Sequence, residues 1–206
     1  MTDNPAVRAP KQQRSRDAWD RVLAVGVQLF TEGGLEALTV TAVCRRAGVS
    51  APSLYARVDG RAGLIAAVYE HAMLTIRASD AEVVGRLPGP DAPQAARIAA
   101  VVAAAAEQFS RNARLLRPII AASLQDEWVH RRGIEEAQRL IGELSAALGI
   151  GEEAGRDIAT MLFAELVMST MYGADFASPF APDATGHRDR LVRMATARAE
   201  AIDAGR

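Results

Sequence analysis

The sequence holds one cysteine, Cys44, in 206 residues. A lone thiol excludes an internal disulfide framework and any zinc site built on paired cysteines. Aromatic residues make up 5% of the chain, so its core must rest on aliphatic side chains. Long apolar runs are scarce as well. Ile158 to Gly173 is the nearest to one, and Glu165, Ser169 and Thr170 interrupt it. It is too short and too polar to cross a bilayer, which argues against a membrane partner. Residues Met1 to Gln13 lack the apolar stretch of a secretory leader and read as a polar tail, so the expected location is the cytoplasm. The histidines, His71, His130 and His187, lie in separate segments without metal-ligand spacing. No Gly-rich phosphate loop follows a strand. With no acid–base, nucleophilic or metal-binding constellation, the expectation is a protein that is not an enzyme and carries no cofactor.

Half of the residues are hydrophobic and the mean hydropathy is +0.02. A chain of this length and balance can bury a substantial core. Its formal charge of −1 conceals an asymmetry. Residues 1–61 carry nine basic and six acidic side chains, and the remainder carries fifteen and nineteen. A basic front on an acidic body suits one nucleic-acid-binding face.

Alternation at period two is nearly absent, and Ala, Leu, Arg and Glu dominate, so the expected fold class is all-α with about nine helices. Trp19, Val22, Leu23, Gly26, Leu29 and Phe30 fall on one stripe of a first helix, Ser15 to Thr31, which Gly33-Gly34 should end. Thr39 can cap a second helix, Val40 to Ala47, broken by Gly48. Ser50 can cap a third, with Pro52 tolerated in its first turn. A fourth helix is expected over Ala62–Arg86, ended by the Pro/Gly-rich Leu87–Pro93, the clearest break in the chain. Beyond it the pattern predicts helices at Gln94–Arg111, Arg114–Gln125, Trp128–Leu148, Glu152–Phe176 and His187–Ala204, with Pro118 kinking or restarting the second of these.

Two short helices joined by a tight Gly-containing turn form a helix-turn-helix pattern over residues 38–57. Val43, Val49 and Leu54 would pin the crossing. Ser50, Ala51, Pro52, Ser53, Tyr55 and Arg57 would face outward. A helix entering a major groove needs small groups near its tip and phosphate-binding groups on its flanks. Arg8, Lys11, Arg14 and Arg16 could form a basic arm, although residues 1–10 read better as a frayed tail.

From Thr39 to Leu64 the segment resembles the TetR family of bacterial regulators without a gap. Leu35 and Thr39, then Arg46-Ala47-Gly48-Val49-Ser50, Leu54-Tyr55, Arg61 and Leu64 carry the resemblance. Arg57 and Val58 depart from the family's histidine and phenylalanine, and Arg61 stands where lysine is usual. The resemblance implies a tail over 1–14, a helix-turn-helix DNA-binding domain over 15–75 and a helical ligand-binding and dimerisation domain over 76–206. It implies a base-facing tip at Ser50, Ala51, Pro52 and Ser53, backbone contacts from Tyr55 and Arg57, and phosphate contacts from Thr39, Thr41 and Arg61. It further implies a homodimer joined through the last two helices, a palindromic double-stranded DNA operator, and a small-molecule effector that releases a repressor from it.

The C-terminal half offers its own evidence. The helix around Ile158–Gly173 is apolar nearly all round and needs burial on several sides, which a partner subunit can supply. Phe109, Leu116, Ile120, Leu124, Trp128, Leu144, Met161, Glu165, Met168 and Tyr172 are candidate lining for a largely apolar ligand, and most are equally compatible with ordinary core. Glu165, a carboxylate in an apolar helix, needs a partner: a ligand amine, an arginine across a dimer, or water. The alternative function is an all-helical small-molecule-binding protein with a vestigial helix-turn-helix.

Overall fold

In the computed structural model the described residues are 11–84, 87–89, 91–180 and 183–204. Among them the chain is helical throughout, in nine helices: α1 (Lys11–Ala37), α2 (Val40–Ala47), α3 (Ala51–Tyr55), α4 (Gly60–Val84), α5 (Gln94–Ala122), α6 (Glu127–Leu148), α7 (Glu152–Tyr172), α8 (Ala174–Ala177) and α9 (Ala184–Ala204). The chain divides into two compact units, one running to Met73 and the other beginning at Leu74.

In the first unit the expected stripe on α1 places Val22, Leu23 and Phe30 in the core, with Val43, Leu54, Leu64, Ile65 and Val68 from the elements that follow. Gly26 lies where α1 meets α4: a Cβ there would come within 2.3 Å of Val68 Cγ2. The missing side chain is what allows so close an approach. The helical backbone breaks where the glycine pair predicts. Gly34 has φ 62° and ψ −153°, a conformation open to glycine alone. A short helical stretch then continues to Ala37. At its other end α1 begins at Lys11, so residues 11–14 belong to the helix rather than to a tail. Residues 1–10, with Arg8, lie outside the described residues.

The second unit has its own core. Ile98, Val101, Val102 and Phe109 of α5 meet Leu144 and Leu148 of α6, Ile158, Leu162 and Leu166 of α7, and Leu191 and Ala195 of α9. Three expectations need correction here. The helices expected at Gln94–Arg111 and Arg114–Gln125 are one: α5 runs unbroken from Gln94 to Ala122, and Pro118 does not divide it. Proline costs the bond to the carbonyl four residues back. That carbonyl belongs to exposed Arg114, where water can satisfy it, while buried Phe109, Ile119 and Ala122 hold the helix on both sides. Next, α7 stops at Tyr172 rather than Phe176. Gly173 turns out of the helix at φ 98°, and the chain resumes as the single turn α8. Finally, α9 starts three residues before His187, because Asp183 accepts a hydrogen bond from the Gly186 N–H at 2.6 Å and caps the first turn.

Ion pairs tie the elements of this unit together. Arg77 donates to both carboxylate oxygens of Glu136, which also receives Arg132 and Arg139. Burial opposes charge on Glu136, but hydrogen bonds and charge from Arg77 and Arg139 outweigh it and hold the carboxyl below its ordinary range.

Candidate nucleic-acid interface

The helix-turn-helix is assembled from local signals. Thr39 sits in extended conformation, and its Oγ1 accepts the Ala42 N–H at 3.1 Å, capping α2. The α2 helix ends at Gly48 in the left-handed region, φ 67°, with its N–H returned to the Cys44 carbonyl. Ser50 then caps α3, accepting the Ser53 N–H at 3.3 Å, and the two serine hydroxyls lie 2.9 Å apart. The Thr39 cap leaves its hydroxyl proton available to a further acceptor, and of the two serine hydroxyls, one of which donates to the other, one proton stays available.

Leu54 is the one buried side chain of α3. Around it Pro52, Ser53, Tyr55 and, just beyond the helix, Arg57 are exposed, and Ala51 is half-buried. Tyr55 keeps 54% of its surface accessible, so it is not a core residue of this chain. Ser50 and Thr41 are exposed and Thr39 is half-buried. The helix therefore presents an outer face of small and hydrogen-bonding groups on a single apolar anchor.

The basic residues of this unit are more engaged than the sequence implied. Arg46 makes a two-pronged pair with Glu32, at 2.6 and 2.9 Å, bridging α2 to the C-terminal part of α1. The Arg61 guanidinium donates from Nη2 to the Leu35 carbonyl and from Nε, at 3.3 Å, to that of Leu38. It thus holds the turn that delivers Thr39. Arg57 reaches Ser15 on α1 through Nη2, 2.8 Å from Oγ and 3.2 Å from the carbonyl oxygen. Its Cζ lies 5.4 Å from the centroid of the Trp19 ring.

The ten effector-site candidates occupy different environments of the second unit. Phe109 and Leu144 are core, and Leu116 and Met161 pack against that core. Ile120 and Trp128 are half-buried. Leu124, Met168 and Tyr172 are exposed, the last stacked on Phe176 at 5.0 Å. Two shallow clefts, along Glu152–Thr160 and between Gly142 and Arg156, include none of the ten.

Glu165 finds its partner within the same chain, Arg190 of α9. Arg190 also donates through Nε to Ser178 Oγ at 2.6 Å, and Ser178 Oγ lies 2.7 Å from His187 Nδ1. Arginine can only donate, so Ser178 Oγ spends one lone pair on Arg190; the hydroxyl then donates to an unprotonated Nδ1 or accepts from an Nδ1–H with its second lone pair, according to the imidazole tautomer. His187 is 5% exposed, and its buried Nε2 has no partner among the described residues. Desolvation lowers its pKa from 6.5, the Arg190 charge lowers it further, and Glu165 partly opposes them. This network escaped sequence reading because Glu165 and Arg190 lie on different helices. Among the described residues no group of His, Cys, Asp and Glu is arranged to hold a metal ion, and no helix is long and apolar enough to cross a membrane.

Residues 22–68 match the model of the bacterial regulatory proteins of the tetR family. No curated protein matches the chain in sequence. Solved structures match its fold over nearly its whole length. A transcriptional regulator from Rhodococcus sp. Rha1 superposes with a TM-score of 0.67 at 20% identity, covering 88% of this chain and 96% of that one. A TetR-like transcriptional regulator from Rhodococcus sp. RHA1 gives 0.61 at 16% identity, covering 91% and 96%. A TetR-family transcriptional regulator from Streptomyces coelicolor gives 0.61 at 19% identity, covering 94% and 95%.

Proposed function

We propose that this chain, whose residues 22–68 match the model of the tetR family, is a homodimeric, sequence-specific DNA-binding repressor released from a palindromic operator by a small, largely apolar effector. The observation that carries this reading is the outer face of α3, where Pro52, Ser53 and Tyr55 stand exposed around buried Leu54. The α3 helix enters the major groove. Ser50, Ala51, Pro52 and Ser53 meet base edges, with the two apolar residues suited to a thymine methyl. Tyr55, Thr39 and Thr41 donate hydroxyl hydrogen bonds to phosphates. Arg61 keeps three N–H groups beyond the two spent on the Leu35 and Leu38 carbonyls, and these reach a phosphate near the start of α4.

Two copies of α3 about 34–36 Å apart read successive major grooves, so the operator is a palindrome and the protein a C2 dimer. Met168 and Tyr172, exposed on α7 beyond its buried stripe, support α7 and α9 as the joining surface. The effector binds the second unit. Glu165 is already committed to Arg190, so Leu116, Ile120, Trp128 and Met161 are the stronger contacts for an apolar ligand. Binding favours a state in which the recognition helices no longer match the groove spacing, a population shift driven by differential affinity.

The test is a gel shift with DNA from upstream of the protein's own gene, at two salt concentrations, with sedimentation run in parallel. A dimer that forms a discrete complex resistant to competitor DNA is expected, and Tyr55→Ala should weaken it. A monomer, or a complex that random DNA displaces as readily as itself, overturns the reading.

A further inference from the structure

Arg57 lies two residues beyond α3 and is exposed, the place and charge of a phosphate contact. Its guanidinium is nevertheless turned to α1, where it meets both Ser15 oxygens and the face of Trp19. Five residues are too few for a helix to persist by itself, so the orientation of α3 comes from what it packs against. It packs on α2, and its only buried side chain is Leu54. Leu54 and, three residues beyond the helix, buried Val58 anchor the segment, but so few apolar anchors leave a five-residue helix some freedom to rock. Support from a second direction removes the freedom, and the contact of Arg57 with α1 supplies it. A guanidinium suits this role, because its flat face stacks on the indole while its edge reaches the serine.

We infer that Arg57, Trp19 and Ser15 form a brace that sets the orientation of α3, making Arg57 a positioning residue for DNA recognition rather than a phosphate contact. This inference rests on α3 being the recognition helix. A brace and a phosphate contact have different consequences. Phosphate contacts act on every DNA sequence and contribute about 0.9 each to the slope of log affinity against log salt. A brace acts only where α3 must fit base edges, and leaves that slope alone. A lysine retains a phosphate contact as a point charge but has no planar group to lie over the Trp19 ring while it reaches Ser15.

The experiment measures affinity for two labelled duplexes across a range of salt: one selected by the wild-type protein from a random pool, the other of random sequence. The proteins are wild type, Arg57→Ala, Arg57→Lys, Trp19→Leu and the Arg57→Ala/Trp19→Leu double variant, each checked for helicity. The expected result is a loss of about three- to tenfold on the selected duplex for every single variant. The double variant should lose no more than either alone, random-duplex affinity should hold, and the salt slope should not change. Ser15→Ala, a milder exposed change, should show the same pattern if a larger substitution impairs folding. Weaker binding to both duplexes with a flatter slope in Arg57→Ala, or an unaltered Trp19→Leu, overturns the brace. If the wild type selects no duplex, the recognition reading of α3 falls and this inference with it. Tryptophan emission of the free protein then reports separately on the contact itself, which is refuted if Arg57→Ala leaves the emission unchanged.

Discussion

Gly26→Ala sets two effects of opposite sign against each other. In an open helix the change stabilises by about 0.8–1 kcal/mol, because alanine loses less conformational freedom on folding. Here the new methyl would lie 2.3 Å from Val68 Cγ2, with Val68 Cβ and Cγ1 both at 3.5 Å. Valine on a helix has one strongly preferred rotamer. Val68 is 1% exposed, so it has no free space to turn into. Overpacking of this kind costs about 1–3 kcal/mol, so the net effect is a destabilisation of about 1 kcal/mol. In a unit of this size that lowers Tm by about 4–8 °C. Thermal unfolding followed by circular dichroism reads it directly. The sign should reverse in a Val68→Ala background, where the obstructing methyls are gone and only the helix preference remains. A higher Tm for Gly26→Ala in the wild-type background would refute the close approach of α1 and α4 within the first unit.

Three further predictions concern single groups. Between the ordinary pKa of 6.5 and the lowered value of folded His187, the unfolded chain binds more protons than the folded one. Stability is therefore complete above pH 6.5, falls as pH drops through that window and levels off below the folded pKa; His187→Gln should remove this component from a Tm-against-pH curve. Thr39→Ala removes the α2 cap and should cost about 1 kcal/mol in urea unfolding, and unchanged stability would mean that the cap bond contributes nothing. Tyr172→Asp should shift the sedimenting species towards monomer without loss of helicity, and an unaltered dimer would move the joining surface away from this end of α7.

The all-helical class and the helix-turn-helix were legible in the sequence because their signals are local. Thr39 and Gly48 bracket α2 at Val40–Ala47, and Ser50 caps α3, each through contacts of a few residues. What the sequence withheld depends on distant partners or on solvent. The continuity of α5 through Pro118 turns on how Arg114 is exposed and how its neighbours are buried. The stop at Gly173 lay inside an apolar run that favours helix, and one backbone conformation decided it. Arg57 and Ser15 are 42 positions apart, and Glu165 and Arg190 are 25 apart, so no periodicity links them. Arg57 and Arg61 read equally well as free phosphate-binding charges until their partners are seen.

Selection from a random pool of double-stranded DNA shows whether the protein reads base sequence. One sequence with twofold symmetry should be enriched, its half-sites about one helical turn apart, and the enrichment should be lost when α3 carries Ser53→Ala with Tyr55→Ala. A pool that the protein retains at low salt but never enriches would contradict sequence-specific recognition, leaving a helical protein that holds DNA by charge alone.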